Sequence, residues 1–259
     1  MTKKFICLHA HFYQPPRENP WTQEIEIQES AAPYKNWNKR ITEECYAPNA
    51  KARILDDDLR IKKIVNNYSR MSFNFGPTLL SWLESKSPET YQAILQADQE
   101  SQKLFGGHGS ALAQPYNHMI MPLANSRDKL TQIRWGIEDF KCRFKRNPVG
   151  MWLPEAAVDI ETLDLLAKEE IRFTVLAPSQ AKQIRSKATS NWISVDENSL
   201  DTTRPYKIQL PSGRPFSIFF YDKNVSHQLA FENLLSNGDK FLNNLISYIF
   251  YYFILKYVF

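Results

Sequence analysis

The chain has 259 residues, with 32 Lys and Arg against 28 Asp and Glu, a formal charge of +4, and 43% hydrophobic residues. That balance excludes a disordered, collagenous or coiled-coil protein and leaves enough apolar residue for a sizeable core. The densest basic runs, at 60–63 and 141–146, are short, have acids nearby and read as solvated helix faces, so no nucleic-acid partner is expected.

In chain order, the apolar run 5–8 is too short for a signal peptide and reads as a buried first strand. Cys7, Cys45 and Cys142 are widely spaced with no C-x-x-C pattern, which points to reduced thiols and a cytoplasmic protein. Residues 14–49 are polar, rich in Pro, Trp and Tyr and without periodicity, as in a long functional loop. A helix is predicted over 56–70, opened by three aspartates and striped by Leu59, Ile61, Ile64, Val65 and Tyr68.

Residues 71–75 form the next predicted strand, closed by Gly76-Pro77, and helices follow over 78–86 and 88–103, with Pro88 suiting a first helical turn. Ser126 is the expected cap of a helix bearing Leu130, Ile133, Ile137 and Phe140. Further strands are expected at 149–153, 171–176, 206–210 and 216–221, with helices over 160–170 and about 226–235. Strands alternating with helices imply a parallel sheet built of βα units. No internal repeat and no linker is visible, so a single domain is expected.

Four segments carry residues suited to chemistry. His9-Ala-His11-Phe-Tyr-Gln14-Pro15 follows the first apolar run, and alternation along a strand points His9 and His11 the same way. Two such imidazoles suit a metal or a polar substrate; the alternative is a pair of buried, satisfied histidines. Gly106-Gly-His108-Gly-Ser110 marks a tight turn or a close approach to a ligand and lacks the G-K-[ST] ending of a phosphate loop. Shortly after it, His118 lies between Asn117 and an apolar run, as a site residue or a core residue. In Gly150-Met-Trp152-Leu-Pro154-Glu155 an apolar strand runs into a tryptophan and then a carboxylate. Trp152 offers a flat face to a sugar ring, and Glu155 is placed to attack an anomeric carbon. Glu155 and Asp159 otherwise supply negative charge at the start of the next helix. Finally, Phe219-Phe-Tyr-Asp222 ends a strand in an acid that either meets substrate or caps the following helix.

Together and in this order, these segments resemble glycoside hydrolase family 57, the amylases, glucanotransferases and branching enzymes that act on α-glucans. The resemblance covers the chain from Phe5 to about Leu245. His11-Phe-Tyr-Gln14-Pro15 corresponds to the family's first motif, with two residues between His and Gln where many members have none. His118 matches the histidine of the second region and Glu155 the nucleophile of the third. The resemblance implies an α/β fold, an incomplete (β/α)7-type barrel of parallel strands lacking its last strand or strands. It implies a retaining mechanism with Glu155 as nucleophile, and a sugar site lined by His9, His11, Gln14, His118, Trp152 and Asp222. It implies no cofactor and no metal; the partner is an α-glucan or maltooligosaccharide, and no membrane partner is expected.

A retaining enzyme needs a second carboxyl group about 5–5.5 Å from the first. In this family it is an aspartate within an Asp-Gly-Glu segment, and none occurs here; Gly238-Asp239 is the nearest pair, in the wrong context. The tail from Leu245 to Phe259 holds seven aromatic residues, has no amphipathic period and is shorter than the roughly 20 residues of a membrane helix. A family-57 catalytic domain over 1–246 with an aberrant tail over 247–259, left by a frameshift or premature stop, is therefore expected, with weak or no activity for want of the acid. Two alternatives are a metal-dependent hydrolase or deacetylase using His9 and His11, and a non-enzymatic glucan-binding remnant.

Overall fold

A computed structural model describes residues 5–186 and 191–251. The residues group into two compact units: Leu8–Met119 with Ala124–Val149, and the remainder, chiefly Gly150 onward with Ile120–Leu123. The boundary between Val149 and Gly150 falls inside an apolar run, where no change of composition marks it.

The first unit opens with strand β1 (His9–Phe12), followed after a long loop by helix α1 (Trp37–Ile41), a π-helical turn (Thr42–Tyr46) and α2 (Ala47–Ala50). Asn36 starts α1 by accepting the Lys39 amide on its side chain. Two short strands, β2 (Ala52–Leu55) and β3 (Ile61–Val65), precede β4 (Ser72–Phe75) and the helices α3 (Pro77–Lys86), α4 (Pro88–Leu104) and α5 (Ser126–Phe144). β1 and β4 pair in parallel, with His9 opposite Ser72 and His11 opposite Asn74.

The core of this unit is aromatic at the strands and aliphatic at the helices. Phe12, Tyr46, Tyr68, Phe73 and Phe75 form a cluster of mostly edge-on rings, the favoured geometry for ring quadrupoles. Above it, α3 buries Leu79, Leu80 and Leu83, α4 buries Tyr91, Ile94 and Ala97, and α5 buries Ile133, Ile137, Phe140 and Phe144, each at helical spacing. Two arginines fasten the helices. Arg146 reaches Asp98 with two nitrogens at 2.7 and 2.8 Å, and Arg143 joins Glu84, Asp139 and the Tyr91 hydroxyl.

Four expectations fail in this unit. The first strand lies at 9–12, not 5–8: Phe5 and Ile6 are exposed, and it is the pairing with buried Ser72–Phe75 that defines the strand. The predicted helix over 56–70 is the β2–β3 hairpin. Asp56 accepts the amides of Asp58 and Arg60 on its side chain, a local bond that competes with helix, and Leu59 is left-handed at φ 62°. Leu59, Ile61 and Ile64 are exposed, so their helical spacing was coincidental. The loop predicted over 14–49 also contains α1 and the turn that follows it. The cap of α5 is Asn125, one residue before the expected Ser126.

The second unit contains helix α6 (Ile160–Lys168), strands β5 (Phe173–Leu176), β6 (Gln183–Arg185), β7 (Trp192–Ser194), β8 (Tyr206–Gln209) and β9 (Pro215–Phe220), then helices α7 (Lys223–Phe231) and α8 (Gly238–Tyr251). The order in the main sheet is β5-β9-β8, with β5 and β9 parallel and β8 antiparallel to β9 across the Pro211–Gly213 turn. The predicted strand over 149–153 is reduced to one parallel bridge between Gly150 and Phe173. Gly150 is required there, because a Cβ would lie 2.4 Å from the Phe173 ring. The sheet is thus mixed, and the described strands form short pairs with helices between them. Of the predicted tail at 247–259, residues 252–259 lie outside the described residues; α8 runs to Tyr251.

Candidate active site

Each unit carries one set of the residues singled out by sequence. In the first, β1 and β4 bring His9, His11 and Asn74 onto one face, and the loop before α5 delivers His118. Ser72 Oγ lies 3.0 Å from His9 Nδ1, and His9 Nε2 lies 3.1 Å from Asn74 Oδ1. Asn74 Nδ2 donates to Gln114 Oε1 at 2.5 Å and stands 2.9 Å from His11 Nδ1. His11 Nε2 is 3.1 Å from His118 Nε2, and the Tyr13 ring stacks on His118 at a centroid distance of 3.7 Å.

Asn74 sits between the two rings. Its Nδ2 and Oδ1 lie 2.9 and 3.2 Å from His11 Nδ1, so the amide meets either tautomer of that ring. At the other end His9, as a neutral ring, donates from Nε2 to Asn74 Oδ1 and accepts the Ser72 hydroxyl on Nδ1. Burial holds His9 in that form, lowering its pKa to about 4, with the neighbouring His11 adding to the shift and the Asn74 bond opposing it.

The loop Gln114–His118 is seated on α5 by close backbone approach. Gly136 faces the Gln114 carbonyl, where a Cβ would stand 2.0 Å from the oxygen. Gln132 accepts the Asn117 amide on its side chain at 2.7 Å and the Tyr116 amide on its backbone at 3.2 Å. His118 itself is left-handed, at φ 54°.

Gln14 stands apart from this series. Its Nε2 donates to the Tyr46 hydroxyl, and its Oε1 accepts from Arg17 Nη2. Burial pushes the Tyr46 hydroxyl up to about 12, which keeps it protonated. Gly106 and Gly107 are left-handed and line nothing, so the Gly106–Gly109 segment is a turn after α4, with His108 exposed. Among the described residues no group of three His, Cys, Asp or Glu gathers as a metal site needs. His9 meets Ser72 and Asn74, and His11 meets Asn74 and His118.

In the second unit, the segment from Gly150 runs beside β5: Met151 donates its amide to the Phe173 carbonyl at 3.1 Å, and Thr174 Oγ1 donates to the Met151 carbonyl at 2.8 Å. Trp152 is half-buried and Leu153 fully buried. The chain then turns sharply, with Ala156 N–H bonded to the Leu153 carbonyl. Glu155 occupies the third position of that four-residue turn at φ 55°, ψ 18°, where glycine or asparagine is usual. Its carboxylate is exposed. Asp159 accepts the Thr162 amide and caps α6, and Asp222 accepts the Val225 amide at 2.9 Å and caps α7. Both acids therefore take the helix-capping role.

Sequence reasoning missed Ser72, Asn74 and Gln114 as partners of the histidines. The signal was present: Asn74 interrupts an otherwise apolar strand at a position that is fully buried, and a buried polar side chain needs partners.

The architecture defines an α/β protein whose chemically capable side chains sit on its strands and in the turns that follow them. The sequence narrows the class: residues 5–249 match Glycosyl hydrolase family 57, and the chain belongs to that family. Solved structures share the fold at low identity. A 4-alpha-glucanotransferase from Thermococcus litoralis is 15% identical with a TM-score of 0.59, over 88% of this chain and 30% of that one. An exo-type maltose-forming amylase from Pyrococcus sp. ST04 is 17% identical with a TM-score of 0.62, over 88% and 36%. A branching enzyme of the same family from Thermococcus kodakaraensis is 14% identical with a TM-score of 0.53, over 88% and 49%. The chain thus spans less than half the length of each of these structures. No curated protein matches it.

Proposed function

We propose that the chain is the nucleophile-bearing part of a retaining α-glucan hydrolase or glucanotransferase, built on an incomplete (β/α)7-type barrel. The observation that carries this reading is Glu155, an exposed carboxylate in a left-handed turn just after the apolar segment ending in Trp152 and Leu153, at the position where the resemblance puts the nucleophile. A Glu155 carboxylate oxygen attacks the anomeric carbon; the C1–O bond of the glucan breaks with its electron pair leaving on oxygen, and a glycosyl ester forms. Trp152 offers the sugar an apolar face. The histidine series suits hydrogen bonding to sugar hydroxyls, because imidazole nitrogens both donate and accept.

Departure of a natural leaving group requires a proton, and no Asp-Gly-Glu segment is present to supply it. The 259-residue polypeptide is therefore expected to turn over glucans weakly or not at all, while still accepting a donor whose leaving group needs no proton. 5-Fluoro-α-D-glucosyl fluoride is such a donor, since fluoride departs unassisted and the ring fluorine slows release of the ester. Intact-mass measurement should show one added fluoroglucosyl group on the wild-type chain and none on Glu155→Gln. An unlabelled wild type, or equal labelling of the variant, contradicts the reading.

A further inference from the structure

Glu155 and Ala156 are consecutive left-handed residues, at φ 55° and 52°. Neither is a residue that adopts this conformation readily. Two bonds close the turn internally, from Ala156 N–H to the Leu153 carbonyl and from Ala157 N–H to the Pro154 carbonyl, both 3.0 Å. A third reaches it from outside: Gln180 Nε2 donates to the Ala156 carbonyl at 2.8 Å.

Gln180 is itself set in place. It ends the short turn Pro178–Gln180 that follows β5, its Oε1 accepts the Ala177 amide at 2.8 Å, and its own N–H bonds the Ala177 carbonyl at 3.0 Å. The strand that anchors the start of the nucleophile segment, through Phe173 and Thr174, thus also presents Gln180 to its end. Both ends of the amide are engaged by backbone, so Gln180 acts through Ala156 and not on a ligand.

We propose that Gln180 is a positioning residue for Glu155: its bond to the Ala156 carbonyl maintains the double left-handed turn and with it the direction of the Glu155 carboxylate. The inference rests on the reading of Glu155 as nucleophile. Removing the bond frees the turn to relax toward right-handed φ, which swings the carboxylate off the anomeric carbon, and displacements near 1 Å lower reaction rates by up to about a hundredfold.

Gln180→Glu is the sharp variant. It keeps side-chain length and the acceptor for Ala177 but replaces the donor to Ala156 with an oxygen. The full chain, wild type and variant, is titrated with 5-fluoro-α-D-glucosyl fluoride, and labelling is followed by intact mass. The expected result is a maximal labelling rate about tenfold lower or more, with the half-saturating probe concentration and the Tm little changed. A role in stability alone would lower Tm and leave the maximal rate intact, which overturns the proposal, as does an unchanged rate with an unchanged Tm. If the wild type is not labelled, the nucleophile reading fails, and crystal structures of both proteins decide the positioning role. Loss of positive φ at Glu155 and Ala156 in the variant upholds it, and retention overturns it.

Discussion

The two candidate sets are held by different means. In the first unit, the histidines are held by other side chains: Ser72 and Asn74 bond His9, and Asn74, braced by Gln114, meets His11. In the second, Glu155 sits in a left-handed backbone turn whose next carbonyl, Ala156, accepts one side-chain bond from Gln180. The first device bears on chemistry, because imidazole nitrogens both donate and accept. The second specifies direction, because a φ angle decides where a carboxylate points. Substitutions that remove a polar partner should therefore disturb the first unit through unsatisfied groups, whereas the second should respond to changes in turn geometry.

The largest effect is expected at Asp98, which is 1% exposed, pairs with Arg146 and accepts the Ala111 amide. Asp98→Ala leaves a guanidinium without its partner and should cost about 3–5 kcal/mol in urea unfolding. A loss under 1 kcal/mol would mean that the pair does not hold α4 to the end of α5.

Next comes pH. The His9 pKa falls from 6.5 to about 4 on folding, so between those values the unfolded chain binds a proton that the folded chain refuses. The contribution is complete above pH 6.5 and is lost as pH falls toward 4, a change on the order of 3 kcal/mol. Unfolding free energies measured across that window should slope accordingly, and His9→Gln should flatten the slope. An unaltered slope would break the claim that folding holds His9 neutral.

Gly136→Ala should follow, at about 1–3 kcal/mol, because its methyl group overlaps the Gln114 carbonyl and pushes the His118 loop off α5. Thermal melting reads the loss, and a neutral effect would show that the loop is not seated by backbone contact. The smallest effect is expected at Asp222. Asp222→Ala should cost about 1 kcal/mol through the lost cap, and Asp222→Ser should restore it. If both variants weaken maltooligosaccharide binding in calorimetry while Ser restores stability, Asp222 serves substrate as well as α7.

What could be read from sequence follows the same division. β4 and α3 to α5 were legible because Gly76-Pro77, Pro88 and the stripes of Leu79, Leu83, Ile94, Ile133 and Phe140 agree with burial. The helix predicted over 56–70 failed because Leu59, Ile61 and Ile64 of its apolar stripe are exposed and Asp56 closes a turn with its own side chain. α1 was hidden by a composition of Trp, Asn and Lys with no apolar period. The histidines and Glu155 were visible as residue types in a recognisable order. Their surroundings were less so: Asn74 pairs with His11 across 63 positions, and the sign of φ at Glu155 leaves no trace in composition. Long-range pairing and backbone handedness are properties of the folded chain.

The central claim is that Glu155 is the nucleophile. Tandem mass spectrometry of the chain after reaction with 5-fluoro-α-D-glucosyl fluoride locates the ester residue by residue. The ester is expected on Glu155. An ester on Asp159 or Asp222, or no ester on any carboxylate, would contradict the account.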